Sequence, residues 1–114
     1  MEKNYKELNE RINSLLAEFG KENQGIMRGF MQMHKTQDNS GALSPKTKEL
    51  MAIAISVVKQ CEGCIAYHIN RALKCGATRS EITETIGVSV FMGGGPSLVY
   101  ASIALKALDD FENE

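Results

Sequence analysis

The sequence predicts an all-α fold of about six helices, in a single domain that spans residues 1–114. Three observations lead to this class. Apolar residues recur at spacings of three and four, polar or glycine-rich turns separate the periodic segments, and no convincing alternating strand pattern is present. The one strand candidate, residues 88–91, is short. A domain of this size often gains further burial by oligomerising.

The first two predicted helices are amphipathic and lie at residues 5 to about 20 and about 23 to 36. The first helix carries its apolar stripe at Leu8, Ile12, Leu15, Leu16 and Phe19. In the second, weaker helix, Met27, Phe30 and Met31 are interpreted as core residues, with the mouth of an apolar pocket as the alternative.

The next two helices enclose the segment of chemical interest. After the turn-rich stretch TQDNSGALS, Ser44 is the predicted N-cap of the third helix, and Pro45 occupies its first turn. The fourth helix begins near Cys61, runs to residue 74 or 75, and is stopped by Gly76, because glycine readily ends a helix.

A capping box formed by Thr78 and Glu81 predicts the start of the fifth helix. The three glycines at residues 93–95 end it, and Pro96 begins a last helix that runs to about residue 111. This last helix is apolar on nearly every face, so it must be buried on all sides. A central position within one subunit and a contact with another subunit both stay open.

Charge and hydropathy exclude several classes of partner. Thirteen basic and fourteen acidic side chains give a net charge of −1, and no basic stripe supports a nucleic-acid or membrane partner. The longest apolar run, residues 51–55, is too short to span a bilayer, and the charged N-terminus does not resemble a signal peptide. We therefore expect a cytoplasmic protein, in which a close cysteine pair is redox-active or metal-binding.

The main chemical signal is the segment CEGCIAYH at residues 61–68. A CxxC pair serves redox and zinc sites equally well, but here both cysteines fall near a helix N-terminus, which favours a thiolate. His68 lies one turn after Cys64, so its imidazole can take the thiol proton and return one. We assign Cys64 as the attacking thiol and Cys61 as its resolving partner, with the reverse assignment open.

Glu49 is the fourth candidate, one turn before Ile53 at the edge of an apolar stripe. A carboxylate there would have a raised pKa and could serve in a proton relay. Taken alone, a solvated side chain beside Lys46 and Lys48 is the favoured interpretation. No cofactor or metal is predicted, although zinc held by the four candidates stays open. Packing or surface roles are assigned to His34, Ile65, Tyr67 and Cys75.

The set Glu49, Cys61, Cys64 and His68 resembles the carboxymuconolactone decarboxylase-like proteins, in particular their alkylhydroperoxidase D branch. The resemblance covers roughly residues 40–108. Its further segments are ALSPKTKEL at 42–50, GAT at 76–78, EI at 81–82 and GGGP at 93–96.

The resemblance implies a helical domain that assembles into homo-trimers or homo-hexamers and reduces hydroperoxides as an antioxidant, peroxiredoxin-like enzyme. The second cysteine, Cys64, would attack the peroxide, become a sulfenic acid and condense with Cys61 to a disulfide. Glu49 and His68 would form the proton relay. A dithiol donor, dihydrolipoyl or thioredoxin-like, would then reduce the disulfide.

Two departures from that branch matter. Gly63 stands where the branch has a histidine just before its second cysteine, and this chain keeps about one copy of the helical unit. Two other functions therefore stay open. One is a non-catalytic redox-sensing or zinc-binding oligomer, and the other is lactone decarboxylation with His68 as a base, against which the cysteine pair argues.

Overall fold

A computed structural model describes residues 3–113, and every regular element in that range is an α-helix. The predicted all-α class is confirmed, and residues 88–91 lie within a helix rather than a strand. The helices are α1 (Tyr5–Glu22), α2 (Gln24–Asp38), α3 (Pro45–Val58), α4 (Glu62–Lys74), α5 (Arg79–Gly93) and α6 (Gly95–Glu112).

Local sequence sets most helix boundaries, as predicted. The Ser44 side chain accepts a hydrogen bond from the Thr47 backbone N–H at the start of α3. Thr78 and Glu81 form a reciprocal capping box at the start of α5. Gly94 separates α5 from α6 at a φ of 75°, a conformation that glycine adopts without a Cβ penalty.

Helices α3 to α6 form the body of the molecule, with α3 and α6 each packed against both α4 and α5. Helix α1 lies across α4 and α6, and α2 contacts α1 and α3. The largest fully buried apolar side chains come from α3 to α6 and are Ile53, Val57, Ile65, Ile69, Ile82 and Leu108.

Helix α2 lies outside this core. It is described in full and contains no buried residue, and Phe30 and Met31 are 51% and 49% exposed. The assignment of Met27, Phe30 and Met31 to the core is therefore wrong within a single chain, because α2 makes few contacts with the helical body. The alternative role, at an apolar pocket, applies to Phe30, which lines a cavity between α2 and α3.

Helix α6 is buried on one side only within one chain. Its inner side consists largely of alanines, including Ala104 and Ala107, whereas Leu98 and Val99 are 58% and 60% exposed. The expected all-round burial is therefore not supplied by a single subunit. None of the helices within residues 3–113 is long and apolar enough to cross a membrane.

Candidate redox site

The cysteine pair occupies the turn from α3 into α4. Cys61 is the N-cap of α4, and its sulfur accepts a hydrogen bond from the Cys64 backbone N–H at 3.2 Å. The two sulfurs are joined in a disulfide, with the Cα atoms 5.2 Å apart. Cys64 is exposed and Cys61 half-buried, so a reagent from solvent reaches Cys64 more easily once the bond is reduced.

Helix α1 covers the residues between the cysteines. A Cβ atom at Gly63 would lie 2.5 Å from Cδ1 of Ile12, so glycine leaves the room that α1 occupies. A histidine at this position would displace Ile12. Beside it, the Tyr5 hydroxyl donates to Glu62 at 2.6 Å and Lys3 Nζ donates at 3.0 Å, and these bonds lower the pKa of Glu62.

Glu49 joins α3 to α4 through both of its carboxylate oxygens. Oε1 lies 2.7 Å from Nδ1 of His68, and Oε2 accepts a hydrogen bond from Nε of Arg71 at 3.3 Å. Glu49 is only 8% exposed, so its interpretation as a solvated residue is wrong.

The pKa of Glu49 reflects two opposing causes. Burial raises it, but the hydrogen bonds and charges of His68 and Arg71 outweigh burial and bring the pKa below the ordinary value of a glutamate. The raised pKa expected from the sequence is therefore wrong. The expectation rested on the apolar stripe alone and did not include the cation on α4.

Arg71 connects this pair to α2. Its Nη2 donates to Oδ1 of Asp38 at 2.7 Å, and Oδ2 of Asp38 lies 3.5 Å from Nδ1 of His34. The Tyr67 hydroxyl lies 2.8 Å from Nε2 of the same imidazole, and the Tyr67 ring packs edge-on against His68. His34 and Tyr67 therefore do more than pack, since they extend a polar network from the relay.

Sequence reasoning missed Arg71 and Asp38. Arg71 follows His68 by three residues and so lies on the same side of α4, a spacing that could have identified it. Asp38 and His34 lie on a different helix, and no local pattern links them to the site. Cys75, predicted to be a buried small hydrophobe, is free and half-buried at the C-cap of α4.

A cavity of about 190 Å³ lies between α2 and α3 beside the relay. His68 and Glu49 reach its wall, and Phe30, Met33 and Ala52 make the apolar part. A second cavity of about 280 Å³ lies on the α1 and α6 side, away from His68; it is lined by Lys3, Tyr5, Glu62, Ser102, Ile103 and Lys106. Only the first therefore adjoins the candidate proton relay.

Each of the four candidates is paired with one other candidate. Cys61 forms a disulfide with Cys64, and His68 is hydrogen-bonded to Glu49. Within residues 3–113, no group of three or more His, Cys, Asp or Glu side chains is arranged to hold a metal ion.

Most of the chain resembles known proteins. Residues 24–107 match the model described as the carboxymuconolactone decarboxylase family. The chain belongs to this family. The matched range of this carboxymuconolactone decarboxylase family protein begins before residue 40, so it also includes α2 with Asp38 and His34.

Solved structures agree with the family assignment. A carboxymuconolactone decarboxylase family protein from Legionella pneumophila superposes with a TM-score of 0.91 at 45% identity, covering 96% of this chain and 97% of that chain. A family member from Thermotoga maritima, for which an involvement in the antioxidative response has been suggested, gives 0.82 at 27% identity, covering 91% and 89%.

Two relatives have no assigned function. An uncharacterised protein of Cupriavidus necator is 36% identical over 98 residues, which cover 86% of this chain and 87% of the relative. Uncharacterised protein 4 in the cox locus of Paracoccus denitrificans is 33% identical over 102 residues, covering 90% and 92%.

Proposed function

We propose that the protein is a thiol-dependent hydroperoxide reductase that uses Cys61 and Cys64 as its redox pair. The main supporting observation is that this pair, at the N-terminus of α4, lies one helical turn from the His68 imidazole, which the buried Glu49 carboxylate holds. Membership of the carboxymuconolactone decarboxylase family supports the proposal, as does the suggested antioxidative involvement of the Thermotoga maritima relative.

The reaction proceeds in two chemical steps on the reduced protein. The Cys64 thiolate attacks one peroxide oxygen, the O–O bond breaks, and the leaving oxygen takes a proton and departs as an alcohol. Cys64 is now a sulfenic acid, and Cys61 attacks its sulfur, which releases water and forms the disulfide. A dithiol donor, dihydrolipoyl or thioredoxin-like, restores both thiols by exchange and is itself oxidised to a disulfide.

His68 moves the proton in the first step. Its Nδ1 is hydrogen-bonded to Glu49. Nε2 is therefore the nitrogen that takes the Cys64 proton and returns it to the leaving oxygen. The helix N-terminus stabilises the thiolate meanwhile. Glu49 stays ionised and orients the imidazole, as the carboxylate does in a nucleophile–histidine–carboxylate triad.

The setting of the cysteine pair fits reduction by a second molecule. Cys64 is exposed at the start of α4, where a donor thiolate can approach its sulfur. We place the reaction in the cytoplasm, where dithiol donors keep such pairs reduced. Helix α1 fills the space that a histidine side chain at residue 63 would need, so the relay depends on His68.

Single cysteine substitutions test the proposal. The fully reduced protein is mixed with excess cumene hydroperoxide, and peroxide loss is read together with mass spectrometry of the cysteines. We expect Cys64→Ser to abolish peroxide loss and Cys61→Ser to allow one slow turnover that ends in a trapped sulfenic acid, because the resolving thiol is missing. Cys75→Ser is the matched control, since Cys75 lies outside the pair, and it should behave as the wild type.

Two results would contradict this account. Equal residual activity in Cys64→Ser and Cys61→Ser would overturn the assignment of roles. No peroxide loss by the wild type, with both thiols intact, would overturn the reductase itself and favour the redox-sensing or zinc-binding oligomer. Lactone turnover that survives loss of both cysteines would favour the decarboxylase alternative.

A further inference from the structure

Arg71 holds two carboxylates that come from different helices. Its Nε donates to Glu49 on α3 at 3.3 Å, and its Nη2 donates to Asp38 at the end of α2 at 2.7 Å. The guanidinium carbon also lies 5.9 Å from the ring centroid of Tyr67. A guanidinium suits this arrangement because its planar fork of donors satisfies several acceptors in fixed directions.

We propose that Arg71 is a positioning residue of the redox site. Asp38 holds Arg71 in place, and Arg71 keeps Glu49 ionised and its carboxylate directed at His68. The inference rests on the proposed proton relay and adds a residue to it. Arg71 would touch neither the peroxide nor the cysteines, and it would act through Glu49.

The charged groups around Glu49 favour this role for Arg71. From α4, Glu49 meets His68 and Arg71, whereas Asp38 and His34 face the same network from α2. Lys48, on its own helix, donates through Nζ to the backbone carbonyls of Gln37 at 3.2 Å and Asn39 at 2.9 Å. Arg71 is therefore the permanent cation hydrogen-bonded to the carboxylate.

The ionisation of Glu49 decides what His68 can do. An ionised carboxylate accepts the proton on Nδ1, which fixes the tautomer and leaves Nε2 to act on Cys64. Glu49 is 8% exposed, and without a neighbouring cation burial favours its protonated form. A protonated Glu49 would no longer stabilise the imidazolium, so the Cys64 thiolate would form only at higher pH.

The test is the pH dependence of Cys64 alkylation by iodoacetamide in the reduced protein, followed by mass spectrometry. For Arg71→Gln we expect the pH of half-maximal rate to rise, because a neutral Glu49 no longer stabilises the imidazolium that accompanies the Cys64 thiolate. Arg71→Lys keeps the charge but loses the fork, so we expect a smaller shift of the same sign. Arg79→Gln, which also removes an arginine paired with two carboxylates but at the start of α5, should leave the profile unchanged.

A double variant distinguishes positioning through Glu49 from a direct effect of the Arg71 charge. In a Glu49→Gln background, Arg71→Gln should cause no further shift, because the group through which it acts is already neutral. A full additional shift there would overturn the inference, as would an unchanged or lowered pH of half-maximal rate in a folded Arg71→Gln variant. If that variant does not fold, Arg71→Lys replaces it, and the absence of any shift would overturn the inference.

Alkylation does not require peroxide reduction, so the two proposals can fail separately. A wild type that consumes no peroxide but responds to Arg71→Gln as described would leave the positioning role standing and remove the reductase. Peroxide reduction with an alkylation profile that is insensitive to Arg71 would do the reverse.

Discussion

Glu49 joins His68 to Arg71 because each of its carboxylate oxygens has a different partner. One oxygen contacts His68 and the other contacts Arg71, and the side chain is buried. Burial alone would favour the neutral acid, whereas these partners favour the anion. The residue therefore orients an imidazole rather than storing a proton. That role follows from its two partners and not from the residue type.

Glu49 should also make the stability of the protein depend on pH. Since its folded pKa lies below the ordinary value, its stabilising contribution is present above the pKa of the unfolded chain and is lost as pH falls through the folded pKa. We expect Glu49→Gln to cost about 2 kcal/mol of unfolding free energy at pH 7 and far less at pH 3. Urea unfolding at both pH values measures this.

Glu84→Gln, at an exposed position of α5, is the matched control and should change the free energy of unfolding little at either pH. A Glu49→Gln variant that loses the same free energy at pH 3 as at pH 7 would show that packing, and not the charge, accounts for the loss.

Helix α1 is the element that sets the environment of the cysteine motif. Ile12 packs against Gly63. The Tyr5 hydroxyl and Nζ of Lys3, just before α1, donate hydrogen bonds to the Glu62 carboxylate. The Tyr5 backbone N–H donates to Asp110 of α6 at 2.8 Å. These contacts tie the motif to the C-terminal helix. They also leave no space for a side chain at residue 63, which gives a physical reason for glycine there.

The fit of α1 against Gly63 can be tested with a double-mutant cycle. Gly63→His should lower the melting temperature because the new side chain forces Ile12 away. Combining it with Ile12→Ala should cost less than the sum of the two single changes, with a coupling of about 1 kcal/mol or more. Thermal unfolding followed by circular dichroism measures all three variants.

Gly87→His is the control for that cycle, since a Cβ at Gly87 on α5 would meet no atom within 4 Å. It should be neutral or slightly stabilising, because glycine is a poor helix former. Strictly additive losses for Gly63→His and Ile12→Ala would mean that α1 does not restrict residue 63.

At the scale of the whole molecule, large apolar side chains are exposed around the α5–α6 turn. Phe91 and Met92 at the end of α5 are 85% and 73% exposed, and Leu98 and Val99 at the start of α6 are 58% and 60% exposed. These four residues adjoin the α5–α6 turn. Apolar side chains clustered on a protein surface often mark interaction surfaces. Together with the one-sided burial of α6, this exposure leads us to expect an oligomer.

Light scattering tests the oligomer directly. We expect a mass that is a multiple of the 12.5 kDa chain, with three or six copies. Val99→Glu should reduce the mass toward one chain, because burying an unpaired carboxylate in an interface is costly. Thr83→Glu, on the exposed side of α5, is the control and should keep the wild-type mass. A wild type that runs as a monomer would contradict the expectation.

The sequence by itself determined the helical class, the main helix boundaries, and the placement of Cys61, Cys64 and His68 on the first turns of α4. These features depend on neighbours within about four residues, through periodicity, capping and helical spacing. The family resemblance also followed from such local segments.

Only the tertiary structure decided how the relay is held. The burial of Glu49, its lowered pKa and its contact with Arg71 depend on α3 meeting α4, and the seating of Arg71 depends on Asp38 from α2. The fit of Ile12 against Gly63 likewise joins residues far apart in the chain. Such contacts arise from helix packing, and no local pattern encodes which side chains it brings together.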